Sequence, residues 1–206
     1  MNAPLRITIY GPESTGKSTL TEKLAAHFRA PFVAEYAREF WDQHGAIGLE
    51  DIPTIAREQW RREYAAAALA LRKCQLIDDS PTALTPSQCH LIDDNGSGTR
   101  GLIICDTEAL TTVLWSEVLY LTCPPDIKRE AEKRAKNYAL YLLLDVDVPF
   151  APDPQRCFPD PADREKYLRV FRGALERRHL PFVQISGDWP ARERAAITSV
   201  EALLKA

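Results

Sequence analysis

The sequence lacks several features that would define other classes of protein. It has no run of the ~20 uncharged apolar residues that a membrane-spanning helix requires. Its first residues, MNAPLRITIYGP, show none of the basic, apolar and small-residue segments of a secretory signal. Basic residues are not in surplus, because 26 Lys and Arg stand against 29 Asp and Glu, a net charge of −3. These absences argue against a membrane protein, a secreted protein and a general nucleic-acid binder.

Metal-binding and disulfide patterns are absent as well. The five cysteines form no C-x-x-C pair, and the four histidines are scattered without an H-E-x-x-H motif. The pattern therefore favours reduced thiols and a cytoplasmic location, and it does not favour a zinc site. A length of 206 residues with 45% apolar composition is typical of one ordinary globular domain, here taken as residues 1–206.

Short apolar runs alternate with helical patterns along the chain. This alternation predicts an α/β fold in three layers, with a five-stranded, mainly parallel sheet between two layers of helices. In such sheets ligands bind beyond the carboxyl ends of the strands. The predicted strands are residues 6–10, 31–34, 102–105, 138–144 and 182–185, and the helices include 17–29, 51–73, 128–137 and those opened by Pro161 and following Asp188.

Residues 74–101 break this alternation. The segment CQLIDD at residues 74–79 is echoed by CHLIDD at residues 89–94, and Pro, Ser, Thr, Gly and Asn fill the gaps. We interpret residues 74–101 as a surface insertion within the domain, whose acidic pairs are solvated loop charge rather than a metal site.

A phosphate-binding motif follows the first predicted strand. Residues 11–19 read GPESTGKST and match G-x-x-x-x-G-K-[ST] between a strand and a helix. Backbone N–H groups of such a loop, with the helix N-terminus, face phosphates with partial positive charge. We expect Lys17 to contact the β- and γ-phosphates of ATP and Ser18 to ligate Mg²⁺. The predicted nucleotide-binding residues are Gly11, Glu13, Ser14, Thr15, Gly16, Lys17, Ser18 and Thr19.

Asp106 directly follows the third predicted strand. A carboxylate there is placed to hold the Mg²⁺ shell opposite Ser18, as a Walker-B acid does. The alternative is that Asp106 is the N-cap of a helix that starts near Thr107. The guanine-reading sequence N-K-x-D does not occur, which favours ATP over GTP.

The segment after the second predicted strand reads EYARE at residues 35–39. In a parallel sheet it emerges beside the phosphate loop. The Glu35 carboxylate is placed to accept a hydrogen bond or a proton from an acceptor hydroxyl, and Arg38 to compensate phosphate or substrate charge. The alternative is the charged first turn of a surface helix.

A Pro-rich segment at residues 150–165 follows the fourth predicted strand. Arg156 and Arg164 suit a lid that neutralises transition-state charge and excludes water. After the fifth strand, Trp189 either borders the adenine or covers the edge of the sheet.

Taken together, these blocks resemble the ribosylnicotinamide kinase domain of NadR-type proteins. The matching segments are the phosphate loop, EYARE at 35–39, CDTE at 105–108 with Thr111 and Thr112, LDVDVPF at 144–150, Asp153, Arg156 and the pair Asp163-Arg164. The resemblance runs from about Ile7 to Leu204, and the 74–101 insertion is its main departure.

The resemblance implies a P-loop kinase that uses ATP and Mg²⁺ to phosphorylate the 5′-hydroxyl of nicotinamide riboside, giving nicotinamide mononucleotide. It implies a stand-alone kinase without the adenylyltransferase and DNA-binding domains of some members. The catalytic residues would be Lys17, Asp106, Glu35, Arg156 and Arg164, and the substrate contacts Glu35, Tyr36, Arg38, Asp106, Trp115, Asp147 and Asp153.

Two alternatives stay open from the residues alone. The chain could be a kinase of another nucleoside or small alcohol, or an ATP-dependent switch that regulates a partner. The expected partner of the kinase is a small molecule, without a nucleic acid or a membrane, and homo-oligomerisation is left open.

Overall fold

The computed structural model describes residues 3–78 and 101–205. Most of the predicted 74–101 insertion lies outside these described residues. The third helix continues through Asp78, past the predicted end at residue 73. Among the described residues, no helix combines the length and the apolar character needed to cross a membrane.

The sheet has five strands in the order β2-β3-β1-β4-β5, and every neighbouring pair is parallel. The central strands are fully or almost fully buried, as expected for strands covered on both faces. The predicted α/β fold is confirmed. The strands are β1 (Leu5–Tyr10), β2 (Phe32–Val33), β3 (Leu102–Asp106), β4 (Leu140–Leu144) and β5 (Phe182–Ile185).

Seven α-helices within the described residues connect and cover these strands. A 3-10 turn at Leu49–Asp51 precedes the third helix. The helices are α1 (Lys17–Phe28), α2 (Tyr36–His44), α3 (Ile52–Asp78), α4 (Ala109–Tyr120), α5 (Pro125–Ala135), α6 (Pro161–Arg177) and α7 (Trp189–Leu204).

The apolar core lies on both faces of the sheet. On one face, Ile7 and Ile9 of β1 pack with Leu20 and Leu24 of α1 and with Val200 of α7. The other face contains the side chains of Tyr10, Tyr141 and Phe171, and the Tyr10 ring contacts both of the other rings. Burial on both faces holds β1 in place, and with it the loop that follows Tyr10.

Carboxylates cap three of the helices. Asp160 accepts a hydrogen bond from the Ala162 N–H at 2.7 Å, and Asp188 accepts one from the Ala191 N–H at 2.8 Å. At α4 the cap is Glu108, whose side chain accepts from the N–H groups of Leu110 and Thr111. Asp106 is therefore not the N-cap, and that alternative is wrong. The alternative assumed a helix that starts near Thr107, whereas α4 begins two residues later, at Ala109.

The buried carboxyl group of Glu63 makes the stability of the fold depend on pH. Glu63 of α3 is 5% exposed, and its Oε1 has no hydrogen-bond partner among the described residues. Burial raises the pKa of Glu63 from 4.5 to about 7, although the Tyr138 hydroxyl and, more weakly, Arg6 and Arg134 oppose this shift. The folded protein therefore binds more protons than the unfolded chain between these two values. As the pH rises from 4.5 to about 7, the folded protein therefore loses about 3 kcal/mol of stability through the ionisation of Glu63.

We expect Glu63→Gln to weaken this pH dependence. Chemical denaturation of the wild type between pH 5 and pH 7 should show stability falling by up to ~1.4 kcal/mol per pH unit from this group alone. In the variant the slope should be smaller but not zero, because burial also raises the pKa of Glu108 to about 8. Glu176→Gln, at an exposed position, is the matched control. Equal slopes in wild type and Glu63→Gln would contradict the burial of an ionisable Glu63.

Candidate active site

The phosphate loop lies between β1 and α1 and adopts a tightly curled backbone. Ser14 and Gly16 have positive φ angles of 56° and 85°. Thr15 donates from Oγ1 to the Pro12 carbonyl at 2.9 Å, and Lys17 donates from Nζ to the same oxygen at 2.8 Å. Among the described residues, no side chain caps the start of α1. The N–H groups at this helix N-terminus can therefore bind an anion.

Trp189, the first residue of α7, lies directly against this loop. A Cβ atom on Gly16 would overlap the Trp189 ring, and the positive φ of Gly16 also disfavours any other residue. The indole is 42% exposed. Trp189 therefore covers the phosphate loop, and its contact with an adenine stays a prediction.

Arg192 joins the phosphate loop to the ends of β4 and β5. Its guanidinium is fully buried and donates to the carbonyl oxygens of Thr15 and Asp145, each at 3.0 Å, and of Gly187 at 2.8 Å. It also forms an ion pair with Asp147, which in turn accepts the Gly187 N–H at 2.6 Å. Asp147, predicted as a substrate contact, is thus engaged in this network and does not line the cavity described next.

A cavity of about 550 Å³ opens beside the phosphate loop. Its lining includes the charged side chains of Lys17, Glu35 and Arg156 together with apolar and aromatic side chains. Its further lining comprises Glu13, Ser14, Gly16, Ser18, Thr19, Ala37, Arg38, Trp41, Ile47, Ile52, Ile55, Thr111, Thr112, Trp115, Ser116, Leu119, Tyr120, Gln155, Cys157 and Phe158. One continuous space therefore contacts both the phosphate loop and an aromatic pocket.

Asp106 and Ser18 offer oxygen ligands that suit Mg²⁺. Asp106 ends β3 beside Ile9 of β1, is 3% exposed, and has no hydrogen-bond partner for Oδ1 among the described residues. Burial raises the pKa of Asp106, and the Lys17 ammonium and Ser18 hydroxyl oppose that shift. An unpaired buried carboxylate oxygen beside a hydroxyl at the start of α1 fits a Mg²⁺ ion whose other ligands are phosphates and water. A cation there would remove the cost of burying the Asp106 charge.

Glu35, between β2 and α2, lines the cavity with Lys17. Burial raises the pKa of Glu35 from 4.5 to about 7, and Asp106 contributes to the rise while Lys17 and Arg38 oppose it. A carboxylate with a pKa near neutrality, beside the phosphate loop, can accept a proton from a hydroxyl group.

Arg38 holds the lid segment, residues 150–165, from the side of α2. It forms a bidentate pair with Asp153 and donates to Gln155 Oε1 at 2.9 Å. The Arg38 guanidinium holds the pKa of Asp153 below its usual range. Of the two predicted substrate contacts, Arg38 lines the cavity, whereas Asp153 does not.

Tyr36 points to α3 rather than to the cavity. Its ring lies 4.5 Å from the Arg62 guanidinium, and its N–H donates to Gln59 Oε1 at 2.9 Å. The structure does not bring Tyr36 into the lining of the cavity with Glu35.

The lid is docked on the phosphate loop. Ser14 Oγ accepts the Ala151 N–H at 2.8 Å and lies 3.4 Å from Arg156 Nη1. Arg156 reaches the cavity, as predicted for a lid arginine. Arg164 is 8% exposed and donates instead to the carbonyls of Val148 at 2.8 Å and Ser14 at 3.3 Å. Arg164 therefore supports the base of the lid and does not line the cavity.

Trp115 is part of the aromatic wall. Its ring is stacked parallel to Phe158 at a centroid distance of 5.9 Å and contacts Tyr167 and Phe171. Several wall residues were not predicted from the sequence, namely Trp41, Ile47, Ile52, Ile55, Tyr120 and Phe158. The apolar stripe of α3 predicted that Ile52 and Ile55 are buried, but not that they face a cavity.

The parallel sheet, the phosphate loop and the acids at the ends of β2 and β3 define a P-loop nucleotide-binding domain. The chain belongs to the AAA domain family, whose model matches residues 6–192. A comparison with curated proteins found no match.

Solved structures share this fold. NadR protein in complex with NR has a TM-score of 0.68 and 19% identity over 98% of this chain and 52% of its own. NadR protein in complex with NAD and AMP-PNP has a TM-score of 0.65 and 20% identity over 98% of this chain and 49% of its own. Thymidylate kinase from Ehrlichia chaffeensis has a TM-score of 0.52 and 12% identity over 97% of this chain and 100% of its own. This chain spans about half the length of the NadR chains.

Proposed function

We propose that this protein is an ATP-dependent kinase that transfers the γ-phosphate to the 5′-hydroxyl of nicotinamide riboside, giving nicotinamide mononucleotide. The observation that carries the proposal is one cavity lined by the phosphate loop with Lys17, by Glu35 and by the side chains of the aromatic pocket. Such a cavity can hold the phosphates of a nucleotide and a ring-bearing alcohol in contact with each other.

The residues supply charge and orientation for phosphoryl transfer. The acceptor oxygen bonds to the γ-phosphorus, the bond to the β–γ bridging oxygen breaks, and the hydroxyl proton passes to the Glu35 carboxylate. Lys17 and Arg156, which line the cavity, neutralise charge on the transferring group. Ser18 and Asp106 would hold Mg²⁺, which supplies further charge neutralisation when bound.

The aromatic pocket supports an acceptor with a flat, cationic ring. Trp41, Trp115, Tyr120 and Phe158 line it, and a positively charged pyridinium is attracted to aromatic faces. NadR in complex with NR has the same fold as this chain, which is the reason to test nicotinamide riboside first. The resemblance in the sequence motifs supports the same acceptor.

A panel of acceptors tests the substrate. Transfer of label from [γ-³²P]ATP to nicotinamide riboside, uridine, cytidine, thymidine and shikimate is measured as kcat/KM. We expect nicotinamide riboside to have the highest kcat/KM. A higher value for another compound would replace the proposed acceptor. Slow ATP hydrolysis that no acceptor stimulates would favour a regulatory switch.

The pH profile tests the role of Glu35. A base must be ionised to accept a proton, and Glu35 ionises as the pH rises through about 7. We expect kcat/KM to rise about tenfold per pH unit below 7 and to level off above it. Glu35→Gln should lower kcat/KM by about 10²- to 10⁴-fold and remove the rise. Glu39→Gln, on the exposed side of α2, is the control. A rise that persists in Glu35→Gln would assign the base to another group.

A further inference from the structure

The carboxylate of Glu13, within the phosphate loop, binds the lid backbone. Glu13 Oε1 accepts the N–H of Cys157 at 2.8 Å and the N–H of Phe158 at 2.6 Å. Burial raises the pKa of Glu13, and these two hydrogen bonds oppose the rise. A carboxylate that takes two successive N–H groups fixes the direction of the backbone at that point, because both peptide planes must face one oxygen.

The fixed backbone lies directly beside Arg156. The Arg156 guanidinium reaches back to the Ala151 carbonyl and lies near Ser14 Oγ, and it lines the cavity with Lys17. Arg156 has no ion-pair partner among the described residues. Its position therefore depends on the course of the lid and on the weak contact with Ser14, not on an ion pair with a carboxylate.

The two ends of the lid are held differently. Ser14 binds the start of the lid through the Ala151 N–H and its end through Arg164, whereas Glu13 binds the part directly after Arg156. The stacking of Phe158 on Trp115 is a second, apolar support for the latter part. Loss of the Glu13 carboxylate should thus loosen the lid around Arg156 without unfolding it.

We propose that Glu13 is a positioning residue for phosphoryl transfer, which holds the lid at Cys157 and Phe158 and so places Arg156 at the phosphate loop. This proposal rests on the proposed kinase function. Glu13 acts through Arg156, so its contribution to turnover exists only while Arg156 is present.

A double-mutant cycle tests this dependence. Glu13→Ala should lower kcat by about a hundredfold, as expected for a misplaced catalytic group. In the Arg156→Ala background the same change should have no further effect, so that the double variant matches Arg156→Ala alone. Glu13→Gln keeps an acceptor oxygen, so its kcat should be about tenfold higher than that of Glu13→Ala. Glu176→Ala, at an exposed position of α6, is the matched control.

Two kinetic outcomes would overturn the proposal. One is an equal loss from Glu13→Ala with and without Arg156, which would indicate a role independent of the arginine. The other is full activity of Arg156→Ala, because no function would then remain for Glu13 to position.

Amide hydrogen exchange gives a readout that does not depend on catalysis. In the protein without ligand, the amides of Cys157 and Phe158 should exchange about tenfold faster in Glu13→Ala than in wild type, and Glu13→Gln should be intermediate. Unchanged exchange in Glu13→Ala would overturn the proposal whatever the acceptor. If wild type fails to phosphorylate nicotinamide riboside but exchange changes as expected, only the proposed substrate fails.

Discussion

Replacing Lys17 with alanine is expected to lower kcat by about a thousandfold, as loss of a charged group that stabilises a transition state does. Lys17 lines the cavity, and its ammonium lies 2.8 Å from the Pro12 carbonyl inside the phosphate loop. In phosphoryl transfer the protein contributes mainly position and charge, so the remaining groups cannot replace a cation at the transferring phosphate. The effect is measured as label transfer from [γ-³²P]ATP at saturating acceptor.

The fold should survive this substitution. Among the described residues, the Lys17 side chain has a single hydrogen bond, to the Pro12 carbonyl, so the melting temperature should change little. Lys23→Ala on the same helix removes a surface ion pair with Glu193 and is the matched control, with kcat unchanged. Full turnover by Lys17→Ala would show that the phosphate loop does not bind the transferring phosphate.

Arg192→Ala is expected to have the largest effect on stability, about 3–5 kcal/mol, because it leaves a cavity and three carbonyl oxygens without their donor. Those oxygens belong to Thr15, Asp145 and Gly187, and Asp147 loses its ion pair as well. Since Thr15 is in the phosphate loop, nucleotide affinity should fall together with stability. The measurement is chemical denaturation, with nucleotide affinity from calorimetry.

Arg194→Ala is the control for Arg192, because it removes an exposed arginine from the same helix. Its free energy of unfolding should stay within about 0.5 kcal/mol of wild type. If the two variants were equally stable, the buried Arg192 network would not hold the ends of β4 and β5 to the phosphate loop.

Local sequence patterns predicted the strands of the sheet, because a buried strand has a short run of apolar residues. Strands such as β3 are buried on both faces, so residues 102–105 are all apolar and predict a strand well. Asp106, the last residue of β3, and Glu35, two residues after β2, lie at the same edge of the sheet because the strands are parallel. In α2, by contrast, only Phe40 is buried, so no apolar stripe marked this helix beyond its charged first turn.

Local patterns did not predict which side chains contact each other when they lie far apart along the chain. Asp153 pairs with Arg38 and Asp147 with Arg192, at separations of 115 and 45 residues along the chain. Both acids were expected to contact the ribose or the lid only because the resemblance to the kinase domain implied it, and nothing in the sequence marked an arginine as the partner of either. Of the aromatic pocket only Trp115 was predicted, since Trp41, Tyr120 and Phe158 come from separate elements.

Calorimetric titration of the wild type with a non-hydrolysable ATP analogue, in the presence of Mg²⁺, tests the nucleotide site most directly. The phosphate loop, with Lys17 and the unpaired oxygen of Asp106, predicts saturable binding of one nucleotide per chain, strongly weakened in Lys17→Ala. Absence of binding heat at several temperatures, or equal binding by wild type and Lys17→Ala, would contradict the claim that the phosphate loop binds a nucleotide.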